Sequence, residues 1–411
     1  MHRVAVTGMG IISPLGNDVQ SFWAGLLGGQ CGIGPITRFD TRGYKVTIAA
    51  EVTRFDPAAF GLEAAEARRM DLFTQYALAA AHQAVGQSGL MGQVMPERLG
   101  VNISSGIGGI ETMFRESEKL LSRGPGRVSP LCIPTMIGNM AAGNAAIRFN
   151  AQGACVPVIT ACATSTHAVG EAYRMIRHGY LDAMITGGSE ASVTPIAIAG
   201  FTSCMALSDT NEPTASSLPF DARRKGFVLG EGAAVLVLEN LAHARARGAG
   251  ILGEIVGYAA TCDAFHITAP HPGGDGAARA IRLALEEAGD KGEESLYINA
   301  HGTGTPLNDK TETLAIKRAL GEERARRTAI SSIKGATGHM LGAAGGAELI
   351  ATLLALSEGV LPPTIPLDAP DPECDLDYVP RKARREARGL GLSVSLGFGG
   401  HNGVLAIRRG I

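Results

Sequence analysis

Tryptophan occurs once in this 411-residue chain and aromatic residues make up only 5% of it. Charge is equally sparse. Lys and Arg number 37 against 39 Asp and Glu, a formal net charge of -2, which gives no support to general nucleic-acid binding. The seven cysteines are odd in number and never form a CxxC pair, so neither a disulfide framework nor a zinc knuckle is expected and a reducing compartment is. No apolar run reads as long enough to cross a bilayer, and Met1-His2-Arg3 leads straight into Val4-Ala5-Val6 without a secretory h-region. On these absences the expectation is a cytoplasmic protein without a membrane or nucleic-acid partner.

What is abundant is apolar material, 45% of residues, together with 55 glycines spread through it. Short β-branched runs alternate with longer helical patterns, which is the mark of an α/β fold. The order of events also repeats. Arg3 to Gly8 matches Glu254 to Gly257 as an opening strand, and the alanine-rich helix Phe73 to Gly89 matches Ala277 to Gly289. Val101 to Gly106 matches Tyr297 to Gly302 as a strand ending in a glycine turn. A strand–helix junction at Cys162 matches one from Ala329 to the helix after Gly345. Hairpin patterns at Gly226 to Leu238 and Leu392 to Ile407 close the halves. Residues 1–250 and 251–411 are therefore expected to be two copies of one unit, with the seam near Gly248 to Gly253. Strand ends of both copies then converge on a central site.

Three segments carry chemistry. Val156 to Ile159 is a β-like run that ends at Thr160-Ala161-Cys162, and a helical pattern follows through Ile176. This puts Cys162 at a helix N-terminus, where free N–H groups and the macrodipole are expected to lower the thiol pKa and sharpen it as a nucleophile. Asn299-Ala300-His301-Gly302-Thr303-Gly304-Thr305 sets a histidine at a strand end among small hydroxyl residues. Lys334-Gly335-Ala336-Thr337-Gly338-His339-Met340-Leu341-Gly342 sets a second one between glycines. Cys, His and His are also zinc-ligand types, but no HxxxH or CxxC spacing supports a metal. Acyl transfer fits better: a thiolate takes an acyl group from another thioester almost isoenergetically. Two imidazole N–H donors can then stabilise an enolate formed by decarboxylation, each worth about 3 kcal/mol of barrier. Gly397-Phe398-Gly399-Gly400-His401 reads either as exposed backbone N–H groups beside a mobile ring or as a tight hairpin with Phe398 in the core. The Arg381 to Arg385 run reads as a solvated face.

These motifs resemble those of the β-ketoacyl-acyl-carrier-protein synthases, most closely the synthase II type, and the resemblance runs from Val6-Thr7-Gly8 to the Gly397 to Gly403 turn. It implies a thiolase-like five-layer αβαβα sandwich of two duplicated halves, a homodimer, and no organic cofactor or metal. It implies partners as well: acyl carrier protein bearing acyl and malonyl groups on phosphopantetheine. Matched residue by residue, Cys162 is the acyl acceptor, His301 and His339 drive decarboxylation and condensation, and Lys334 supports them. Phe398 is a gate whose N–H, with that of Cys162, forms the oxyanion hole. Thr303 and Thr305 hold the phosphopantetheine arm; Ile107, Phe201 and Cys132 shape the acyl pocket; Arg68, Arg69 and Arg127 meet the carrier. Glu348 reads as structural, pairing a buried lysine or a backbone network. Cys132 in place of an aromatic, Met205 in place of arginine, Gly335 in place of serine and His401 in place of threonine are departures from common relatives. A polyketide ketosynthase or a synthase I shares the same three residues, and a non-catalytic chain-length factor is the alternative outside catalysis. A thiolase proper would want a second cysteine near His401.

Overall fold

The computed structural model describes residues 1–410. Nine strands form the main sheet: β1 (Val4–Ile12), β2 (Leu99–Ser104), β3 (Ala183–Glu190), β4 (Gly232–Asn240), β5 (Gly253–Cys262), β6 (Leu296–Asn299), β7 (Ala329–Ser331), β8 (Leu390–Gly397) and β9 (His401–Arg409). Their spatial order is β2-β3-β4-β1-β5-β9-β8-β6-β7. The pairing is symmetric about the β1–β5 seam. On one side β2 and β3 are parallel while β3–β4 and β4–β1 are antiparallel. On the other, β6 and β8 are parallel while β8–β9 and β9–β5 are antiparallel.

Most of the strands are buried on both faces, as a sheet covered on two sides requires. In β4, Leu236 and Leu238 face one hydrophobic cluster while Val235 and Val237 face another. The first cluster is central and holds α2 (Thr164–Arg177) and α6 (Ala344–Glu358) between the two halves of the sheet. The outer clusters are closed by α1 (Leu72–Ser88) on one side and by α4 (Asp275–Glu287) and α5 (Pro306–Leu320) on the other. The result is five layers, helix–sheet–helix–sheet–helix. Local signals set the limits of these helices: Asp71 caps α1 through the Phe73 N–H, and Gly89 ends it at φ 58°. The two central helices nearly touch at their N-termini. A Cβ on Gly345 would lie 2.0 Å from Thr166 Oγ1, so only glycine fits there.

Several sequence expectations are corrected. The Val156–Ile159 run is not a strand; its place in the sheet is reduced to one parallel bridge, Val101 to Cys155. Val156 and Ile159 are instead 55% and 63% exposed, an apolar edge beyond β2. The first half closes not with a hairpin but with β3 and β4, which are separated by the long insertion 191–231. Lys334 opens a short helix, Lys334–Thr337, directly after β7. One segment, Leu341–Glu358, does have the length and composition of a membrane span, but it is the central core helix and 83% of it is buried. The Arg381–Arg385 run is solvated and ties to acids through Arg381–Asp368 and Arg384–Asp377 pairs.

Candidate active site

The chain ends of β6 and β8 and the turns before α2 and α6 meet at one cavity of about 350 Å³. Cys162, His301, His339, Phe398, Thr303 and Thr305 all line it, although they are drawn from distant parts of the sequence. Cys162 sits in a 3-10 turn, Ala161–Ala163, that runs directly into α2. The preceding Ala161 is forced to φ 51°, a left-handed conformation costly for a residue with a Cβ. The Phe398 N–H faces the sulfur, and a Cβ on Gly397 would stand 3.3 Å from the Cys162 nitrogen. The backbone N–H groups of residues 162 and 398 are therefore neighbours.

The imidazoles are 5.3 Å apart, centroid to centroid, and nearly perpendicular. Their tautomers follow from their partners. The Leu341 N–H donates to His339 Nδ1 at 3.2 Å, so the His339 proton resides on Nε2, which is buried and has no partner in the protein. Lys334 Nζ lies 3.4 Å from His301 Nδ1 and donates to the His301 carbonyl at 2.6 Å, which likewise leaves the proton on Nε2. Burial, with the Lys334 charge next, holds both imidazoles well below their ordinary pKa, so both are neutral. Lys334 is itself buried and forms an ion pair with Glu348, the structural role expected for that glutamate. The expectation of an acidic thiol is not met. Burial pushes the Cys162 thiol up to about 11, and Lys334 and the Phe398 N–H only partly offset it.

Three buried carboxylates belong to the site and were missed. Glu312 accepts from the His301 and Gly302 N–H groups at 2.7 and 2.8 Å, and Asp309 accepts from those of Thr303 and Gly304. Glu190 accepts from Gly106 at 2.9 Å and from Gly342 at 3.0 Å. Burial raises Glu312 to about 7 and Glu190 to about 6. A charged residue at the end of an otherwise uncharged strand is the signal that marks Glu190. Phe227 was missed too; its ring stands 5.0 Å from His339.

The remaining expected residues lie apart from the cavity. Phe201, on α3 (Pro195–Ser203), packs edge-on against Phe227 at 5.7 Å and shares a hydrophobic cluster with Cys162. Ile107 is 41% exposed, next to the Glu190 anchor. Cys132 begins the short surface helix Cys132–Met136 and does not reach the cavity. Arg68, Arg69 and Arg127 are exposed and without an ion pair among the described residues.

A five-layer duplicated α/β core with cysteine and two neutral imidazoles at its centre defines a thiolase-like condensing enzyme. The chain belongs to the β-ketoacyl synthase family: the descriptions "Beta-ketoacyl synthase, N-terminal domain" and "Beta-ketoacyl synthase, C-terminal domain" match residues 1–244 and 252–368. It is 51% identical to the 3-oxoacyl-[acyl-carrier-protein] synthase 2 of Synechocystis sp. over 409 residues, covering 99% of this chain and 98% of that one. Among solved structures it is similar to the ishigamide ketosynthase/chain length factor, with a TM-score of 0.93, 38% identity and 100% of both chains covered. It is also similar to a type II polyketide ketosynthase solved in complex with its acyl carrier protein, with a TM-score of 0.91, 32% identity and 100% of both chains covered.

Proposed function

We propose that this chain is a 3-oxoacyl-[acyl-carrier-protein] synthase of fatty-acid elongation. The observation that carries the reading is the pair of neutral imidazoles whose Nδ1 atoms are both occupied, leaving two Nε2–H donors beside the Cys162 cavity. Acyl carrier protein delivers its acyl group to Cys162, and the thiol proton ends on the departing phosphopantetheine sulfur. The N-terminus of α2 and Lys334 favour the attacking thiolate. A malonyl thioester then loses CO2, and the charge that develops on its thioester oxygen meets the Nε2–H groups of His301 and His339. The enolate carbon attacks the Cys162 thioester, whose oxygen is held by the N–H groups of Cys162 and Phe398. Cysteine thiolate leaves, takes a proton from solvent, and a 3-oxoacyl group two carbons longer departs.

Thr303 and Thr305 hold the arm in this reading, supported by two hydroxyls that lie 2.9 Å apart on the cavity wall. Arg68, Arg69 and Arg127 offer unpaired charge to an acidic carrier. Ile107, Phe201 and Cys132 shape the acyl side, with Cys132 acting across the interface of a homodimer. The bare apolar edge at Val156 and Ile159 supports that assembly, because an uncovered sheet edge invites a second copy. All seven cysteines are free, which suits the cytoplasm. A scaffold that only shapes a partner's pocket would need neither the thiol nor the ordered imidazoles. Incubation with acyl- and malonyl-carrier protein tests the reading: intact mass should show acyl on Cys162, absent in Cys162→Ala, and a product two carbons longer. Failure to acylate Cys162 would sink it.

A further inference from the structure

Arg223-Arg224-Lys225 places three cations in a row, and the structure leaves only the last one free. Arg223 is held by both oxygens of Asp221 at 2.8 Å. Arg224 is buried, pairs with Asp371, and donates to the carbonyls of Thr305 and Pro306 at 3.2 Å. Lys225 is exposed, lines the catalytic cavity, and has no carboxylate within 4.0 Å among the described residues. The acids nearby are engaged elsewhere. Asp209 pairs with Lys45 at 2.7 Å, and Asp263 on the cavity wall accepts from Asn402 Nδ2 at 2.8 Å and the His271 N–H at 3.0 Å.

The backbone that carries Lys225 is fixed against the site. Gly226 N–H donates to the Gly304 carbonyl at 3.0 Å, and Phe227 N–H to that of Ala206 at 3.0 Å. Phe227 reaches inward to His339, at 5.0 Å. Lys225 stands two residues upstream, at most about 7 Å of chain away, and its exposure puts it at the mouth, not the floor.

We infer that Lys225 is the anion subsite at the mouth of this cavity and takes the phosphodiester of the carrier's phosphopantetheine arm. The inference rests on the proposed function. Between its sulfur and its phosphate the arm carries only amides and a hydroxyl, so hydroxyl partners such as Thr303 and Thr305 suit its length and a cation suits only its outer end. The malonyl carboxylate, the other anion that enters, is consumed beside the imidazoles at the floor.

Calorimetric binding of 4′-phosphopantetheine and of pantetheine to the whole enzyme tests this, alongside KM for octanoyl and malonyl thioesters of each. The preference for the phosphorylated form should fall about fivefold in Lys225→Ala, persist in Lys225→Arg, and shrink with added salt. Octanoyl and malonyl substrates should lose it equally, and the change should fall on KM. An unaltered preference in Lys225→Ala overturns the inference. So does a loss confined to malonyl substrates regardless of phosphate, which would assign the lysine to the carboxylate. Binding is read apart from turnover, so a protein that holds the phosphate through Lys225 but condenses nothing would refute the proposed function and leave this subsite standing.

Discussion

Lys334→Met separates two jobs of one ammonium group. Its Nζ serves three acceptors: the Glu348 carboxylate, the His301 carbonyl at 2.6 Å and His301 Nδ1 at 3.4 Å. Both ion-pair partners are 1% exposed, so deleting the cation strands a buried carboxylate, a change that costs about 3–5 kcal/mol. Burial already holds Glu348 above its ordinary pKa, and proton uptake softens the loss. We expect guanidinium unfolding to show about 4 kcal/mol of destabilisation. Replacing the pair together, Lys334→Met with Glu348→Leu, removes both charges and should restore about 3 kcal/mol, since a buried pair exchanged for apolar groups is often close to neutral. Catalysis should not follow. With no donor facing His301 Nδ1, the proton is free to settle there, and the cavity loses one Nε2–H. Such a donor is worth about 3 kcal/mol, on the order of a hundredfold in rate. The assay is CO2 release from malonyl-carrier protein without acyl primer. If the double variant regains stability and rate together, Lys334 acts only through its ion pair and the tautomer argument is wrong.

Two further outcomes test the same cavity. Because His339 is held neutral well below 6.5, the unfolded chain binds a proton below that pH that the native state does not, and native stability falls by about 1.4 kcal/mol per pH unit for that group. As the pH falls from 6.5 to 5, the stability difference between wild type and His339→Asn should therefore drift with a slope that rises from half that value toward all of it, while the raised carboxylates Glu190 and Glu312, common to both proteins, cancel; a constant difference refutes a neutral buried imidazole. Gly397→Ala places a Cβ 2.8 Å from the Thr160 carbonyl and 3.3 Å from the Cys162 nitrogen. Acylation of Cys162, followed by intact mass, should slow by at least about tenfold as the paired N–H groups move apart, and an unchanged rate would show that they do not act together.

The duplicated order of elements was legible because strand and helix periods are local and occur in the same sequence twice. Cys162, His301 and His339, which the structure brings to one cavity, could be singled out because small residues surround each of them in the sequence. The Val156–Ile159 run misled for a physical reason: apolar β-branched residues mark a strand whether its partner is in the same chain or not, and here the run lies at the edge of the sheet. The missing hairpin misled because β3 and β4 pair across an insertion that periodicity cannot span. Thiol acidity was misjudged because helix position is readable in sequence while desolvation is not. Glu190, Glu312 and Asp309 escaped notice because their role is to receive backbone N–H groups from turns remote in the chain or curled back on themselves, and such acceptors leave no spacing pattern.

The duplication also accounts for the precision of the site. Each half builds the same joint, a 3-10 turn feeding a central helix, Ala161–Ala163 before α2 and Leu341–Ala343 before α6. Each joint holds its first residue in the left-handed region, Ala161 at φ 51° and Leu341 at φ 45°, at a cost of order 1–2 kcal/mol apiece. The two copies put that shared geometry to different use. The first presents a thiol; the second turns the Leu341 N–H onto His339 Nδ1 and so decides which nitrogen carries the proton. Glu190 clips the second joint to the first half, since one of its carboxylate oxygens takes both the Gly106 N–H of the turn after β2 and the Gly342 N–H of the Leu341–Ala343 turn. The thiol and the imidazole N–H donor are thus positioned by the packed contact between two cores, not by separate loops. Donors fixed in that way need no reorganisation when charge develops, which is the condition under which an oxyanion contact lowers a barrier most.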